Sequence, residues 1–145
     1  MATTRRELLY SRWRAMLSTV NTTQATLTAG ATVPLGANAI RTNNDASLND
    51  NAIEIQRAGT FEALATIIYT ATAAGDVTAQ MLANGTAVPG ATATVTATQG
   101  QTVTLTVQGT IQTRTASPGT RVPITWTISA AGTLVSNVAS VKRVI

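Results

Sequence analysis

From Val77 to Thr113 the chain carries no charged side chain, and along most of that stretch apolar residues alternate with Thr or Gln. A period of two sends successive side chains to opposite faces of a pleated strand and suits no amphipathic helix. Exposed strands ordinarily keep Lys or Glu for solubility and to discourage pairing at their edges. A stretch this long without them is either covered in an assembly or displayed as a neutral, Thr-rich wall. Both options point to a structural or binding protein built of β-strands.

Composition narrows the class further. Thr supplies 29 of the 145 residues, and β-branched side chains pack well on pleated surfaces while losing freedom in helices. Aromatic residues make up only 3%, so the core must come from Ala, Val, Leu and Ile. The length suits one domain plus a terminal appendage. Neither Cys nor His occurs. That removes disulfides, the usual zinc ligands, the usual base near neutral pH, and Ser-His or Cys-His nucleophiles. No enzymatic activity and no cofactor are expected.

The charge of +4 is uneven, because residues 1–20 hold Arg5, Arg6, Arg12 and Arg14 against Glu7, or 4 − 1 = +3. Thr4 followed by Glu7 fits a capping box, and Leu9, Trp13, Met16 and Leu17 fall at i, i+4, i+7 and i+8. Residues 1–20 therefore read as a short amphipathic helix. Residues 21–31 read as a linker or entry strand, and residues 32–145 as the β domain. No apolar run approaches the roughly 18–20 residues that span a bilayer, and the start lacks the apolar core of a secretory signal. Synthesis in a cytoplasm is the expectation.

The segment from Ala31 to Ile40, with Val33, Pro34, Leu35 and Gly36, suggests an edge strand ending in a turn, and Asn43, Asn44, Asp45, Asn49, Asp50 and Asn51 suggest a turn-rich loop. Two carboxylates without the EF-hand spacing are too few for a dedicated Ca²⁺ site there. Ile53 and Ile55 flank Glu54, and Phe61 to Ala71 is apolar enough for a central strand. Asn84-Gly85 is the strongest hairpin signal, Pro89-Gly90 reads as a break, and Ala91 to Thr98 alternates strictly. Val103, Leu105, Val107 and Ile111 share one face, with Gly109 marking a bulge or a close approach. Ser117-Pro118-Gly119 makes a turn before Val122, Ile124, Trp126 and Ile128 alternate, and a last strand runs from Leu134 to Ile145. At least seven or eight short strands with regular turns describe an all-β antiparallel sandwich or jelly roll.

The order Gly59-Thr60-Phe61-Glu62-Ala63, then Met81-Leu82-Ala83-Asn84-Gly85-Thr86-Ala87-Val88-Pro89-Gly90, then Val138-Ala139-Ser140-Val141-Lys142-Arg143-Val144 resembles TNF/C1q-like jelly-roll domains. The similarity is to the Thr/Ala-rich variety of bacterial spore-surface and bacteriophage virion proteins. It implies a homotrimer whose final strand closes the inner sheet at the three-fold axis. The collagen-like stalk that often precedes such domains has no counterpart here, and a basic Trp-containing segment stands in its place. That departure favours a virion component on the capsid surface, a decoration or head-fibre protein, over a spore protein. The alternative on the same fold is a receptor- or glycan-binding adhesin tip.

Candidate functional residues fall into two groups. Arg5, Arg6, Leu9, Arg12, Trp13, Arg14, Met16 and Leu17 are candidates for docking on the major capsid protein or another virion protein. The same stripe could instead pack on its own trimer, and nucleic acid or a membrane face is the less favoured partner. Phe61, Tyr69, Val103, Leu105, Val107, Trp126 and Val141 are candidates for the trimer interface or the core. Sugar stacking by Trp126 or Tyr69, and glycan contacts along the Thr/Gln faces, would serve the adhesin reading. Glu54, Arg57 and Glu62 are read as a charged cluster or, more simply, a solvated ion pair.

Overall fold

The structure is a computed structural model that describes residues 16–42, 45–113 and 121–144. Eleven strands are formed among them: β1 (Met16–Asn21), β2 (Ala25–Leu27), β3 (Ala37–Thr42), β4 (Ala46–Asn49), β5 (Ala52–Ile55), β6 (Gly59–Ala71), β7 (Gly75–Ala83), β8 (Thr86–Ala97), β9 (Thr102–Thr113), β10 (Val122–Ile128) and β11 (Gly132–Arg143). One sheet runs β3-β1-β11-β6-β9, with β2 added beside β11, and the other runs β4-β5-β10-β7-β8. All ladders are antiparallel. This is the two-sheet jelly roll that the strand count and turn spacing imply.

Alternation makes the core. Phe61, Ala63, Ala65, Ile67, Tyr69 and Ala71 of β6 are buried, as are Val103, Leu105, Val107 and Ile111 of β9 in register with them. Ile53, Ile55, Val77, Ala79, Met81, Ile124, Trp126 and Ile128 face them from the second sheet. The sheets come close where side chains are small. A Cβ built on Gly109 would lie 2.8 Å from the Ala91 Cβ and 3.2 Å from the Met81 Sδ. Gly109 thus marks a close approach, and the β6–β9 register runs past it without a shift. Trp126 Nε1 and Asn137 Oδ1 are buried without a hydrogen-bond partner among the described residues, at a cost on the order of 1–3 kcal/mol each that apolar burial must offset.

Several sequence expectations give way to the structure. Residues 16–20 are not helical: Met16–Asn21 forms β1, paired with β11 on one side and β3 on the other. Two ladders and the complete burial of Leu17 outweigh a local helical pattern. The β domain accordingly starts no later than Met16, and residues 1–15 lie outside the described residues. The edge strand expected within Ala31 to Ile40 lies later, at β3, while Val33 and Leu35 are buried in the core. The Asx-rich segment is not all loop, since Ala46–Asn49 pairs with Ala52–Ile55 around Asp50 and Asn51. Arg114 and the Ser117-Pro118-Gly119 turn lie outside the described residues.

Pro89-Gly90 does not break β8. The ladder with β7 shifts register between Gln80 and Leu82, and Gly90 sits at φ 77°, so the strand bulges and continues. The Gln80 side chain fills the irregularity: its Nε2 donates to the carbonyls of Met81 at 2.8 Å, Ala91 at 3.2 Å and Val88 at 3.3 Å. Asn84-Gly85 closes the hairpin with both residues at positive φ, 51° and 78°.

Tyr69 anchors the end of the core away from the first described residue. Its hydroxyl donates to the Ala130 carbonyl at 2.6 Å, and its ring is fully buried. Burial pushes the phenol above its ordinary value of 10.0 by disfavouring the phenolate. A group whose folded pKa exceeds its unfolded one stabilises the fold below the unfolded pKa and loses that contribution as pH rises through the folded one. Stability should therefore fall more steeply above about pH 10 in the wild type than in Tyr69→Phe, because only the wild type must ionise a buried phenol. Urea midpoints measured across alkaline pH check this, and identical slopes would refute it.

Candidate functional site

The interface-or-core candidates are all inward. Phe61, Tyr69, Val103, Leu105, Val107, Trp126 and Val141 are buried between the sheets of a single chain. Trp126 and Tyr69 have fully buried side chains, so neither presents a ring for sugar stacking. Of the docking candidates, Met16 and Leu17 are adjacent on β1 and therefore point to opposite faces. Leu17 enters the core, while Met16 is half-buried on the outer face opposite Lys142. They do not share one stripe. Arg5, Arg6, Leu9, Arg12, Trp13 and Arg14 lie outside the described residues.

What the chain exposes is the outer face of the β3-β1-β11-β6-β9 sheet. Register places Val20, Val138, Thr66 and Thr106 in one row across β1, β11, β6 and β9. The next row runs Ile40, Ser18, Ser140, Leu64 and Gln108. On the other side of the first row, Ser136, Ile68 and Thr104 follow. Val20, Ile40 and Val138 are 40%, 53% and 48% exposed, which is unusual for large aliphatic side chains grouped on one face. No charge interrupts these three rows. Charge returns only in the row of Met16, Lys142, Glu62 and Thr110, where Lys142 and Glu62 pair at 3.8 Å.

Beside this face lies a neutral flank. β9 ends its sheet and β8 ends the other, and the two edges lie side by side. The charge-free segment 77–113 is therefore nearly the whole of one side of the sandwich. Thr hydroxyls partly satisfy one another there, Thr70 with Thr102 and Thr78 with Thr94, each at 2.8 Å. The outer face of the second sheet is also neutral in its middle rows, with Thr92, Gln80 and Thr127 in register.

The charged residues were grouped wrongly by sequence. Glu54, Arg57 and Glu62 do not pair with one another: Glu54 meets Arg121 at 3.3 Å, Glu62 meets Lys142, and Arg57 meets Asp45 at 3.1 Å. Asp45 is the residue that sequence reasoning missed as a centre. Only 5% of its side chain is exposed, and it accepts Arg57 on one oxygen and Arg143 on the other at 3.0 Å, while Arg143 also lies 5.8 Å from the Phe61 ring centroid. Arg143 closes β11 in one sheet and Asp45 precedes β4 in the other, so the ion pair ties the sheets together at one end. Nothing local in the sequence signals a contact across 98 residues. Among the described residues no group of three His, Cys, Asp or Glu could hold a metal ion.

Asp45→Ala leaves two guanidinium groups without their shared buried carboxylate and should cost about 2 kcal/mol, discounted from fully buried pairs because Arg57 is largely exposed. Glu62→Gln, at an exposed pair, should cost under about 1 kcal/mol. Urea denaturation of both variants checks the ranking, and equal losses would contradict it.

No protein-family model and no curated protein sequence matches the chain. Solved structures do. The globular domain of zebrafish complement 1qA protein superposes with a TM-score of 0.70 at 7% identity, covering 91% of this chain and 98% of that one. Murine APRIL at pH 5.0 gives 0.68 at 8% identity, with 89% and 98% covered. PRD1 vertex protein P5 gives 0.61 at 11% identity, with 90% and 97% covered.

Proposed function

Given that the chain is a TNF/C1q-like jelly-roll domain, we propose that it is a bacteriophage virion structural protein, a homotrimer that decorates the capsid or forms a short head fibre. The observation that carries the reading is the pair of neutral surfaces on one molecule: the apolar rows around Val138 and the charge-free flank of β8 and β9. They are different surfaces, so a contact between them is head-to-tail, and such contacts close into rings when the rotation allows. Three copies set flank against face bury both and leave the charged end free. A vertex protein of similar fold, PRD1 vertex protein P5, supports the setting. The reading is non-enzymatic, in keeping with a sequence that has neither Cys nor His.

In this reading the N-terminal segment, with Arg5, Arg6, Arg12 and Arg14 around Trp13, attaches the trimer to the major capsid protein or a neighbouring virion protein. Three linked anchors raise effective concentration on a repetitive lattice, so that weak single contacts suffice. The second reading is a glycan-binding tip, favoured by the uncharged rows of Thr92, Gln80 and Thr127 on the outer face of the second sheet.

Sedimentation of the full chain should give a species three times the mass of one chain. Val138→Glu puts a charge into the central row at a site already half exposed, so it should dissociate the trimer while leaving the circular dichroism spectrum of the β domain intact. A wild-type monomer, or a variant that stays trimeric, would defeat the assembly. Binding to cell-surface sugars on a glycan array, with no density on the capsid in images of particles, would select the tip instead.

A further inference from the structure

Charge is segregated along the long axis of the sandwich in a way that the fold does not require. The described residues contain five cations, Arg41, Arg57, Arg121, Lys142 and Arg143, and all sit at one end. Register fixes this: Arg41 lies opposite Leu17 and Lys142 opposite both Met16 and Glu62, Arg143 lies opposite Phe61, Arg121 adjoins the Val122–Ile55 pair, and Arg57 lies between β5 and β6. Three carboxylates accompany them, Asp45, Glu54 and Glu62, leaving 5 − 3 = +2. The other two described acids, Asp50 and Asp76, lie away from this end. The loops at the opposite end, 72–74, 98–101 and 129–131, carry no charge. Residues 1–15, with a sequence charge of 4 − 1 = +3, are joined to the sandwich at Met16, which is the same end.

We propose that this cationic end of the folded domain, and not residues 1–15 alone, is the surface set against an acidic protein. The inference rests on the docking reading above but not on the trimer. Two features favour a protein over a phosphate backbone. The cations are interleaved with carboxylates in pairs of 3.0–3.8 Å, a mixed-sign pattern that a protein surface bearing acids beside a few bases can match and a uniform run of phosphates cannot. Arg57, Arg121 and Lys142 nevertheless keep 59%, 51% and 54% of their side chains exposed, so they can reach a partner's acids. Val144, 47% exposed and held by its backbone N–H to the Thr60 carbonyl at 2.9 Å, supplies an apolar contact within the charged rim. Among the described residues, a positive end set against the acids Asp50 and Asp76 elsewhere also orients the domain as it approaches an acidic surface.

The test uses the full chain and immobilised poly-L-glutamate as the acidic polypeptide, with a DNA duplex and phosphatidylserine vesicles as rival polyanions at low salt. Arg121→Glu with Lys142→Glu should weaken polyglutamate binding by about tenfold or more, whereas Asp50→Lys with Asp76→Lys should leave it within about threefold. Equal effects of the two pairs, or no effect of the first, would overturn the proposal, the latter assigning docking to residues 1–15. Tighter binding to the duplex or the vesicles, sensitive to the same reversals, would also overturn it and name the other partner. Sedimentation of the same variants reads the trimer separately, so loss of one reading leaves the other standing.

Discussion

The thickness of the sandwich is the constraint from which the other features follow. With aromatics at 3% of the chain, most of the space between the sheets is filled by Ala, Val, Leu and Ile, and the sheets approach until a side chain at Gly109 would collide with Ala91 and Met81. Phe61, Tyr69 and Trp126 supply the bulk that the small residues do not. A core of this kind tolerates little added volume, because interiors are already close-packed. It also has to be closed at its ends by other means. The Asp45 pair with Arg57 and Arg143 does so at one end and the Tyr69 bond to Ala130 at the other.

Sequence disclosed what depends on side-chain period and local turns. The inward positions of β6, β9 and β10 follow from alternation, and the β7–β8 hairpin follows from Asn84-Gly85. It misread whatever depends on partners distant along the chain. Met16 and Leu17 fit a helical stripe in isolation and become a strand because β3 and β11 are available on either side. Arg57 and Glu54 are near in sequence, yet each finds its ion pair elsewhere, since Glu54 lies within β5 and Arg57 in the bend that follows it, each beside a partner far along the chain. The outer apolar rows were invisible for the same reason. Val20, Ile40 and Val138 come from three segments, and none is unusual until register aligns them.

Neutral and charged surfaces are thus sorted by position in the fold. The wide face around Val138 and the long flank of β8 and β9 lack charge, while cations gather where β1 begins and β11 finishes. Sorting of this kind separates two tasks physically. Apolar and hydroxyl-bearing surfaces associate with little dependence on salt, whereas a charged end responds to ionic strength over a Debye length of roughly 8 Å in physiological salt.

The bulge at Gly90 also bears on uniqueness. Ala91 to Thr98 repeats apolar residue and Thr so regularly that sliding β8 by two positions along β7 would present nearly the same side chains to the core and to solvent. Side-chain pattern alone leaves such registers close to degenerate. The irregularity at Gln80 to Leu82 works against the degeneracy, because in the alignment formed Gln80 Nε2 reaches the β8 carbonyls of Val88 and Ala91, and a slip of β8 along β7 would carry both away. A single amide therefore does for a low-complexity strand what varied side chains do elsewhere: it makes one alignment distinguishable from its neighbours.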